Sequence, residues 1–198
     1  MKRRLLGLTG SIGMGKTTTA GFFRDADVPV WDADAAVHSL YAKGGAGSAA
    51  IAAIVPEAVP GGAVDRARLR TAFLADETLP QKIEAAIHPL VGQNRQAFLS
   101  ATTAPLVVLD IPLLFETGGA AGCDAIAVVT APPDVQKARV LARPGMTEEA
   151  FHTILARQTP DAEKHRRATY LIDTSQGLEP ARDAVHSIIE AEHKLAHA

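Results

Sequence analysis

The chain has 198 residues, 47% of them hydrophobic and 21% charged, which is enough for one hydrophobic core and excludes bulk disorder. Twenty basic against 22 acidic residues give a net charge of −2, so no overall basic field favours nucleic acid or an anionic membrane as a partner. Cys123 is the only cysteine, so no internal disulfide can form and a reducing compartment is favoured.

The apolar residues near the N-terminus imitate the start of a signal peptide, but Thr9-Gly10-Ser11 interrupts them. Elsewhere, no apolar run approaches the ~20 residues of a membrane span. We therefore expect a cytoplasmic protein without membrane contact, with a monomer as the default oligomeric state.

Five short apolar runs predict buried strands at residues 4–9, 28–32, 106–110, 125–130 and 170–173. Helical spacing predicts helices at residues 17–26 and from Leu178 to about Ala196. Strands that alternate with helices favour parallel βα units. The sequence therefore predicts an α/β fold, with a parallel sheet of about five strands and helices on both faces.

Between Ala33 and Ala104 the strand pattern disappears. Apolar spacing there predicts helices at residues 65–76 and 79–100, and stretches rich in glycine and proline predict loops at 44–48 and 56–62. We interpret residues 33–104 as a helical insertion mounted on the sheet, within one domain that spans residues 1–198.

The strongest functional signal is the sequence GSIGMGKT at residues 10–17, a full match to G-x-x-x-x-G-K-[ST] between a predicted strand and a predicted helix. Glycines let backbone N–H groups approach phosphate oxygens, Lys16 reaches the β- and γ-phosphates, and the Thr17 hydroxyl can bind Mg²⁺. The pattern predicts a nucleoside triphosphate site formed by Ser11, Ile12, Gly13, Met14, Gly15, Lys16, Thr17 and Thr18.

The class of phosphate-loop protein follows from other parts of the chain. GTPases carry an Asn/Thr-Lys-x-Asp motif, whereas the only asparagine here is Asn94, in Gln93-Asn94-Arg95. Transporter ATPases need a signature loop and a longer chain. The size, the helical insertion and the arginine-bearing segment after the fourth strand favour a small-molecule kinase.

Two aspartates, Asp32 and Asp34, end the second predicted strand. In an extended chain, residues two apart point to the same side. One carboxylate could then accept a proton from an attacking hydroxyl while the other orients Mg²⁺ through water. The alternative is that one of them caps a helix that runs to Leu40. Asp110 ends the third strand, in the position of a carboxylate associated with Mg²⁺.

Arg139 and Arg143 lie four residues apart and would share a helix face, and Arg157 follows beyond a hinge-like Pro144-Gly145. Arginines arranged in this way can close over a triphosphate and neutralise charge during transfer. We interpret residues 139–158 as a lid in which Arg139 and Arg143 bind the nucleotide and Arg143 also serves catalysis. A solvated helix face is the alternative.

These motifs together resemble the dephospho-coenzyme A kinase family over essentially the whole chain. The segments that carry the resemblance are LTGSIGMGKTT (8–18), VWDAD (30–34), IHP (87–89), DIPLLFE (110–116), the segment from Arg139 to Arg143, RQ (157–158) and YLID (170–173). The sequence differs from the family pattern at Met14, at Ala168-Thr169-Tyr170 and at residues 174–177.

The resemblance implies a P-loop NTPase fold that uses ATP and Mg²⁺ to phosphorylate the ribose 3′-hydroxyl of dephospho-coenzyme A, the last step of coenzyme A biosynthesis. It implies that Asp34 is more central to catalysis than Asp32. We also predict that His88, Leu113, Phe115 and Glu116 contact the acceptor; for His88 and the leucines at 113 and 114, packing within the protein is an equal alternative. A kinase of another small acceptor and a slowly hydrolysing regulatory module are the rival functions.

Overall fold

A sheet of five strands organises the computed structural model, which describes residues 3–197. The strands are Arg4–Thr9 (β1), Val30–Asp32 (β2), Leu106–Asp110 (β3), Ala125–Thr130 (β4) and Tyr170–Asp173 (β5). Their spatial order is β2-β3-β1-β4-β5, and β1 pairs in parallel with both β3 and β4, as β4 does with β5. Parallel strands end at one edge of a sheet, and ligands bind at this carboxyl edge in open α/β folds.

Helices follow β1, β2, β4 and β5, whereas β3 and β4 are joined without an α-helix. The helices are Lys16–Asp25 (α1), Ala33–Tyr41 (α2), Ala46–Ala52 (α3), Arg66–Ala75 (α4), Leu79–Ala101 (α5), Pro133–Leu141 (α6), Glu148–Leu155 (α7), Asp161–Arg167 (α8) and Leu178–His197 (α9). Short 3₁₀ turns lie at Pro56–Ala58, Pro60–Gly62 and Gly119–Gly122. None of the helices in residues 3–197 combines the length and the apolar character needed to cross a membrane.

The chain divides into two compact units, of which the first comprises residues up to Trp31 and from Thr103 onward. Its core is formed by the apolar strand residues together with one face of α1 and one face of α9. Phe23 of α1 and Val185 of α9 are fully buried there, because both helices present apolar residues at a spacing of three or four. This core fixes the sheet edge at which β1 passes into α1.

The second unit, Asp32–Thr102, is helical and has its own core. That core is formed by Ile51, Val55, Ala58, Leu69, Ile83 and Ile87. Asp65 caps α4, because its carboxylate accepts hydrogen bonds from Ala67 N and Arg68 N at 2.9 and 3.0 Å. The unit corresponds closely to the predicted insertion at residues 33–104.

A buried carboxylate joins β1, β5 and α9 within the first unit. Glu192 is fully buried; it accepts a hydrogen bond from Arg4 Nε at 2.8 Å and another from the Tyr170 hydroxyl at 2.7 Å. Burial first, and this hydrogen bond second, raise the pKa of Tyr170 to about 12. The paired charge explains how the sheet tolerates an acidic residue in its core.

The predicted α/β class and parallel sheet are confirmed, and four of the five strands have the predicted bounds. β2 is shorter than predicted, because the chain at Val28 still closes the end of α1 through a hydrogen bond from its N–H to Phe23 O. The predicted loop at 44–48 is wrong, since α3 begins at Ala46. Helix is possible there because Gly45 and Gly47 lie against the carbonyl of Leu40, where a Cβ would come within 2.3 and 2.9 Å of that oxygen.

Candidate active site

The loop at residues 10–17 connects β1 to α1 and has the backbone geometry that a phosphate site requires. Gly13 and Gly15 adopt positive φ angles of 80° and 91°, a region in which side chains are unfavourable. A Cβ at Gly13 would lie 2.5 Å from Val140 Cγ2, and one at Gly10 would lie 2.7 Å from Val129 O. Glycine is therefore needed at position 13 both for backbone conformation and for close packing, at position 15 for conformation, and at position 10 for packing.

The loop ends at the start of α1, where Lys16 and Thr17 occupy the first turn. Gly15 precedes the helix and offers no side chain to cap it. The N–H groups of the first turn are therefore available to bind an anion. Lys16 Nζ lies 2.5 Å from Asp110 Oδ1, and their side chains are 16% and 4% exposed. The structure thus joins the loop lysine to the carboxylate at the end of β3.

Three side chains from outside the loop hold Ser11 and Ile12. The Ile12 N–H donates to Gln158 Oε1 at 3.0 Å, and Gln136 Nε2 donates to Ile12 O at 2.8 Å. Lys164 Nζ donates to Ser11 Oγ at 3.0 Å. None of these three contacts was predicted from the sequence.

A cavity of about 310 Å³ adjoins the loop within the same unit. Its walls include Gly13, Gly15, Thr18, Phe22, Arg139, Arg143, Thr174, Gly177 and Leu178. Arg139 donates to both Thr174 Oγ1 and Thr174 O, at 2.7 and 2.8 Å, and Thr174 Oγ1 donates to Met14 O at 2.9 Å. Arg139 and Thr174 together connect α6, the segment after β5 and the phosphate loop.

Comparison with known proteins identifies the family. Residues 4–179 match the family described as CoaE, dephospho-CoA kinase. The chain belongs to the dephospho-CoA kinase family. Two relatives named dephospho-CoA kinase are a protein of Jannaschia sp. (strain CCS1), 58% identical over 92% of this chain and 94% of its own, and one of Cereibacter sphaeroides, 54% identical over 98% of each.

Solved structures share the fold of this chain. TT1252 from Thermus thermophilus is 33% identical, with a TM-score of 0.85 over 97% of this chain and 98% of that chain. A gluconokinase from Sinorhizobium meliloti 1021 is 18% identical, with a TM-score of 0.53 over 98% of this chain and 97% of that chain, and so shares only the fold. The predicted family, P-loop fold and kinase class are therefore confirmed.

The predicted relation between the lid arginines is only partly right. α6 ends at Leu141, so Arg139 lies on the helix and Arg143 lies beyond it, and the two do not share a helix face. Both nevertheless line the 310 Å³ cavity. Arg157 lies just after α7 and is exposed. Closure of residues 139–158 stays a prediction.

The two aspartates after β2 do not lie on one extended strand. The chain becomes helical at Ala33, and Asp32 caps α2 by accepting a hydrogen bond from Ala35 N at 2.9 Å. Asp34 lies exposed in the first turn of α2. The predicted extended arrangement is therefore wrong, and the capping alternative holds for Asp32.

Asp34 lines a cavity of about 820 Å³ in the helical unit of this dephospho-CoA kinase family member. Arg66 and Arg70 contribute cationic groups to the same cavity, and its other walls include Val37, His38, Tyr41, Leu69 and Phe73. The two arginines are one helical turn apart on α4, so they share a face. No motif along the sequence points to either of them.

The residues predicted to contact the acceptor lie in different environments. His88 is exposed on α5, immediately before Pro89. Leu113 is 42% exposed, whereas Leu114 is fully buried. Phe115 is 6% exposed and packs beneath the Arg167 guanidinium, whose Cζ lies 4.2 Å from the ring centroid. Leu114 and Phe115 therefore pack in the protein, and contact with the acceptor stays a prediction for the group.

Glu116 is held within the first unit by residues after α7. Its Oε1 accepts a hydrogen bond from Thr159 N at 2.6 Å and lies 3.7 Å from Lys164 Nζ. Burial alone would raise the pKa of Glu116, but the Thr159 N–H and the Lys164 ammonium outweigh it and lower that pKa. This carboxylate anchors the segment that also supplies Gln158 to the phosphate loop.

The residues present fit a magnesium ion of the type bound by phosphate-loop proteins. Within residues 3–197, no three histidine, cysteine or acidic side chains cluster as a metal site. Thr17 is exposed in the first turn of α1, and Asp110 ends β3. A hydroxyl and a carboxylate in these positions are the protein groups that such a site supplies, while phosphates and waters complete the octahedron.

Proposed function

We propose that the protein transfers the γ-phosphoryl group of ATP to the 3′-hydroxyl of the dephospho-coenzyme A ribose, giving coenzyme A and ADP. The observation that carries this proposal is the match of residues 4–179 to the family, in a chain whose phosphate loop has the required glycine geometry. Membership of a kinase family brings ATP as the phosphoryl donor. The identity of the acceptor rests on the family.

The nucleotide binds along the loop and in the cavity beside it. Loop N–H groups and Lys16 take the phosphates, and the 310 Å³ cavity receives the nucleoside, with Arg139 and Arg143 in its wall. Thr17 would hold Mg²⁺, which would neutralise phosphate charge when bound. Asp110 orients Lys16 through their 2.5 Å contact, so the ammonium is placed before the nucleotide arrives.

The acceptor occupies the 820 Å³ cavity that Asp34 lines. Dephospho-coenzyme A is long and carries a diphosphate, which suits a broad cavity with the guanidinium groups of Arg66 and Arg70. Tyr41 and Phe73 offer apolar surface to the rest of the molecule.

Asp34 accepts the proton of the 3′-hydroxyl as that oxygen forms its bond to the γ-phosphorus. The bond from the γ-phosphorus to the β,γ-bridging oxygen breaks, and ADP leaves with the electron pair. Charge that develops on the transferring group is stabilised by Lys16 and Arg143. Asp32 supports the reaction indirectly, because it caps the helix that carries Asp34.

Cellular context completes the proposal. We propose a monomeric enzyme of the cytoplasm that uses small molecules as its only substrates. The net charge of −2 gives no long-range attraction to nucleic acid or anionic lipid, and one cysteine is compatible with a reducing compartment.

A panel of acceptors tests the function. ADP release is measured with ATP and Mg²⁺ against dephospho-coenzyme A, AMP, CMP, shikimate and gluconate. Turnover is expected only with dephospho-coenzyme A, and mass spectrometry of the product should locate the phosphate at the 3′ position. Faster turnover with another acceptor would overturn the named substrate, and ADP release independent of any acceptor would favour a regulatory ATPase.

A further inference from the structure

Lys164 is a buried charged group that the proposed mechanism does not use. It lies on α8, and its side chain is fully buried. Lysine is among the residues least often found completely buried, because desolvation of an ammonium group is costly. Burial chiefly lowers the pKa of Lys164, and the nearby carboxylates of Glu116 and Asp161 partly offset this effect.

The contacts of this ammonium lead directly to the nucleotide site. Lys164 Nζ donates to Ser11 Oγ at 3.0 Å, and Ser11 is the second residue of the phosphate loop. Lys164 Nζ also lies 3.7 Å from Glu116 Oε1, which itself accepts the Thr159 N–H at 2.6 Å. The lysine therefore joins the loop to the segment at residues 158–164.

A neighbouring contact from the same segment acts on the next loop residue. Gln158 Oε1 accepts the Ile12 N–H at 3.0 Å, while Gln136 holds the Ile12 carbonyl. Ser11 and Ile12 are thus fixed by side chains that lie more than 120 residues away in sequence. A loop held in this way does not need to be ordered when the nucleotide binds, and less ordering entropy is lost on binding.

We propose that Lys164 is a positioning residue for the nucleotide: its ammonium holds Ser11, and so keeps the phosphate loop in the conformation that receives the phosphates. The inference rests on the proposed nucleotide site and not on the identity of the acceptor. A residue that only filled space in the core could be replaced by an apolar side chain of similar length without effect on the nucleotide, as is known for some buried ion pairs.

The central variant is Lys164→Met, compared with Lys194→Met, which removes an exposed lysine on α9. ADP affinity is measured by calorimetry without any acceptor, and KM and kcat are measured with ATP and dephospho-coenzyme A. Lys164→Met is expected to weaken ADP binding and raise the KM for ATP by roughly tenfold or more, the effect expected for loss of a hydrogen bond to a charged donor. The KM for dephospho-coenzyme A and all constants of Lys194→Met should stay within twofold of wild type.

Ser11→Ala tests whether the lysine acts through this hydroxyl. It should weaken ADP binding in the same direction, and the double variant should bind ADP no more weakly than Lys164→Met alone, because both changes remove one contact. If Lys164→Met does not fold, Ser11→Ala decides: wild-type affinity for ADP would overturn the proposal. ADP affinity of folded Lys164→Met within twofold of wild type, or additive losses in the double variant, would overturn it too.

The two proposals fail in different ways. Wild-type protein that binds ADP but does not phosphorylate dephospho-coenzyme A would contradict the proposed function. The ADP affinities of wild type and Lys164→Met could still be compared, so the role of Lys164 would still be tested. Wild-type turnover of dephospho-coenzyme A together with an unaffected Lys164→Met would contradict only the role of Lys164.

Discussion

Replacement of Gly13 by alanine tests the geometry of the phosphate loop. Two separable effects oppose the new methyl group: the positive φ of 80°, and the position of the added Cβ, 2.5 Å from Val140 Cγ2 and 3.1 Å from Gln136 O. The conformation costs an alanine roughly 1–2 kcal/mol. Overpacking against the neighbours adds about 1–3 kcal/mol. We therefore expect the free energy of unfolding to fall by about 2–5 kcal/mol.

Two other glycines of the same unit separate these effects. Gly118 has a similar φ of 72°, but a Cβ there has open space among the described residues, so Gly118→Ala should cost only the conformational part, roughly 1–2 kcal/mol. Gly21 lies inside α1, again with open space around its Cβ. Gly21→Ala should therefore stabilise the protein by about 0.5–1 kcal/mol.

Equilibrium unfolding in urea, followed by the fluorescence of Trp31, measures all three variants. Trp31 is the only tryptophan, is 4% exposed and belongs to the same unit as the three glycines. Calorimetric titration with ADP should show a loss of affinity for Gly13→Ala, because the loop must move away from Val140. A stability of Gly13→Ala equal to that of Gly118→Ala would refute the packing argument, and unchanged ADP affinity would refute the requirement for glycine in the site.

Four further predictions follow from contacts already described. Lys16→Ala should slow turnover by on the order of 10²-fold or more. It should also lower the unfolding free energy by about 3 kcal/mol, because Asp110 stays buried without its lysine. Adding Asp110→Asn to this variant should recover stability but not turnover, and an almost fully active Lys16→Ala would contradict the assignment of the phosphate loop. Asp34→Asn should keep ATP affinity but lower turnover ~10²–10⁴-fold; reduced thermal stability with normal activity per folded molecule would instead indicate that Asp34 only stabilises the first turn of α2. Stability should fall as pH rises from 10.0 to about 12, since the unfolded chain ionises Tyr170 before the folded protein does; a Tyr170→Phe variant with the same alkaline slope would count against this. Residues 139–158 should gain protection from hydrogen exchange when dephospho-coenzyme A and a non-hydrolysable ATP analogue bind together, and unchanged exchange would remove the lid.

Much of the fold can be predicted from the sequence, because the patterns that indicate it lie within short segments. The runs at Leu106–Asp110 and Ala125–Thr130 are continuous and apolar, and they became strands with the predicted bounds. The helix Ala46–Ala52 could not be read in the same way. Its start is rich in glycine and small residues, which locally indicate a loop, and only the close approach to the Leu40 carbonyl explains those glycines.

The residues of the functional site also differ in whether their roles can be predicted from local sequence. Lys16 and Gly13 lie in a contiguous motif with a fixed spacing, so their roles are predictable. The role of Lys164 could not be predicted, because its charged neighbours on a short helix indicate a solvent-exposed residue. Its contact with Ser11 joins residues that are 153 positions apart in sequence. Thr174 is similar: its hydrogen bond to Met14 spans 160 residues, and such a separation leaves no pattern along the chain.

The spatial order of the strands has a consequence for biosynthesis. β1 is synthesised first, but it pairs with β3 and β4. Arg4 therefore cannot pair until Leu106 has been synthesised, and Leu6 cannot pair with β4 until Ala125 has been synthesised. At ~5–20 residues per second, a ribosome needs about 5–20 s to supply the first of these neighbours. The helical unit Asp32–Thr102 emerges complete within that interval, and its contacts are short in sequence. Nascent chains should therefore contain a folded helical unit and an unpaired β1 at the same time. The unpaired backbone groups and apolar side chains of β1 are what a chaperone would need to shield until β3 leaves the exit tunnel.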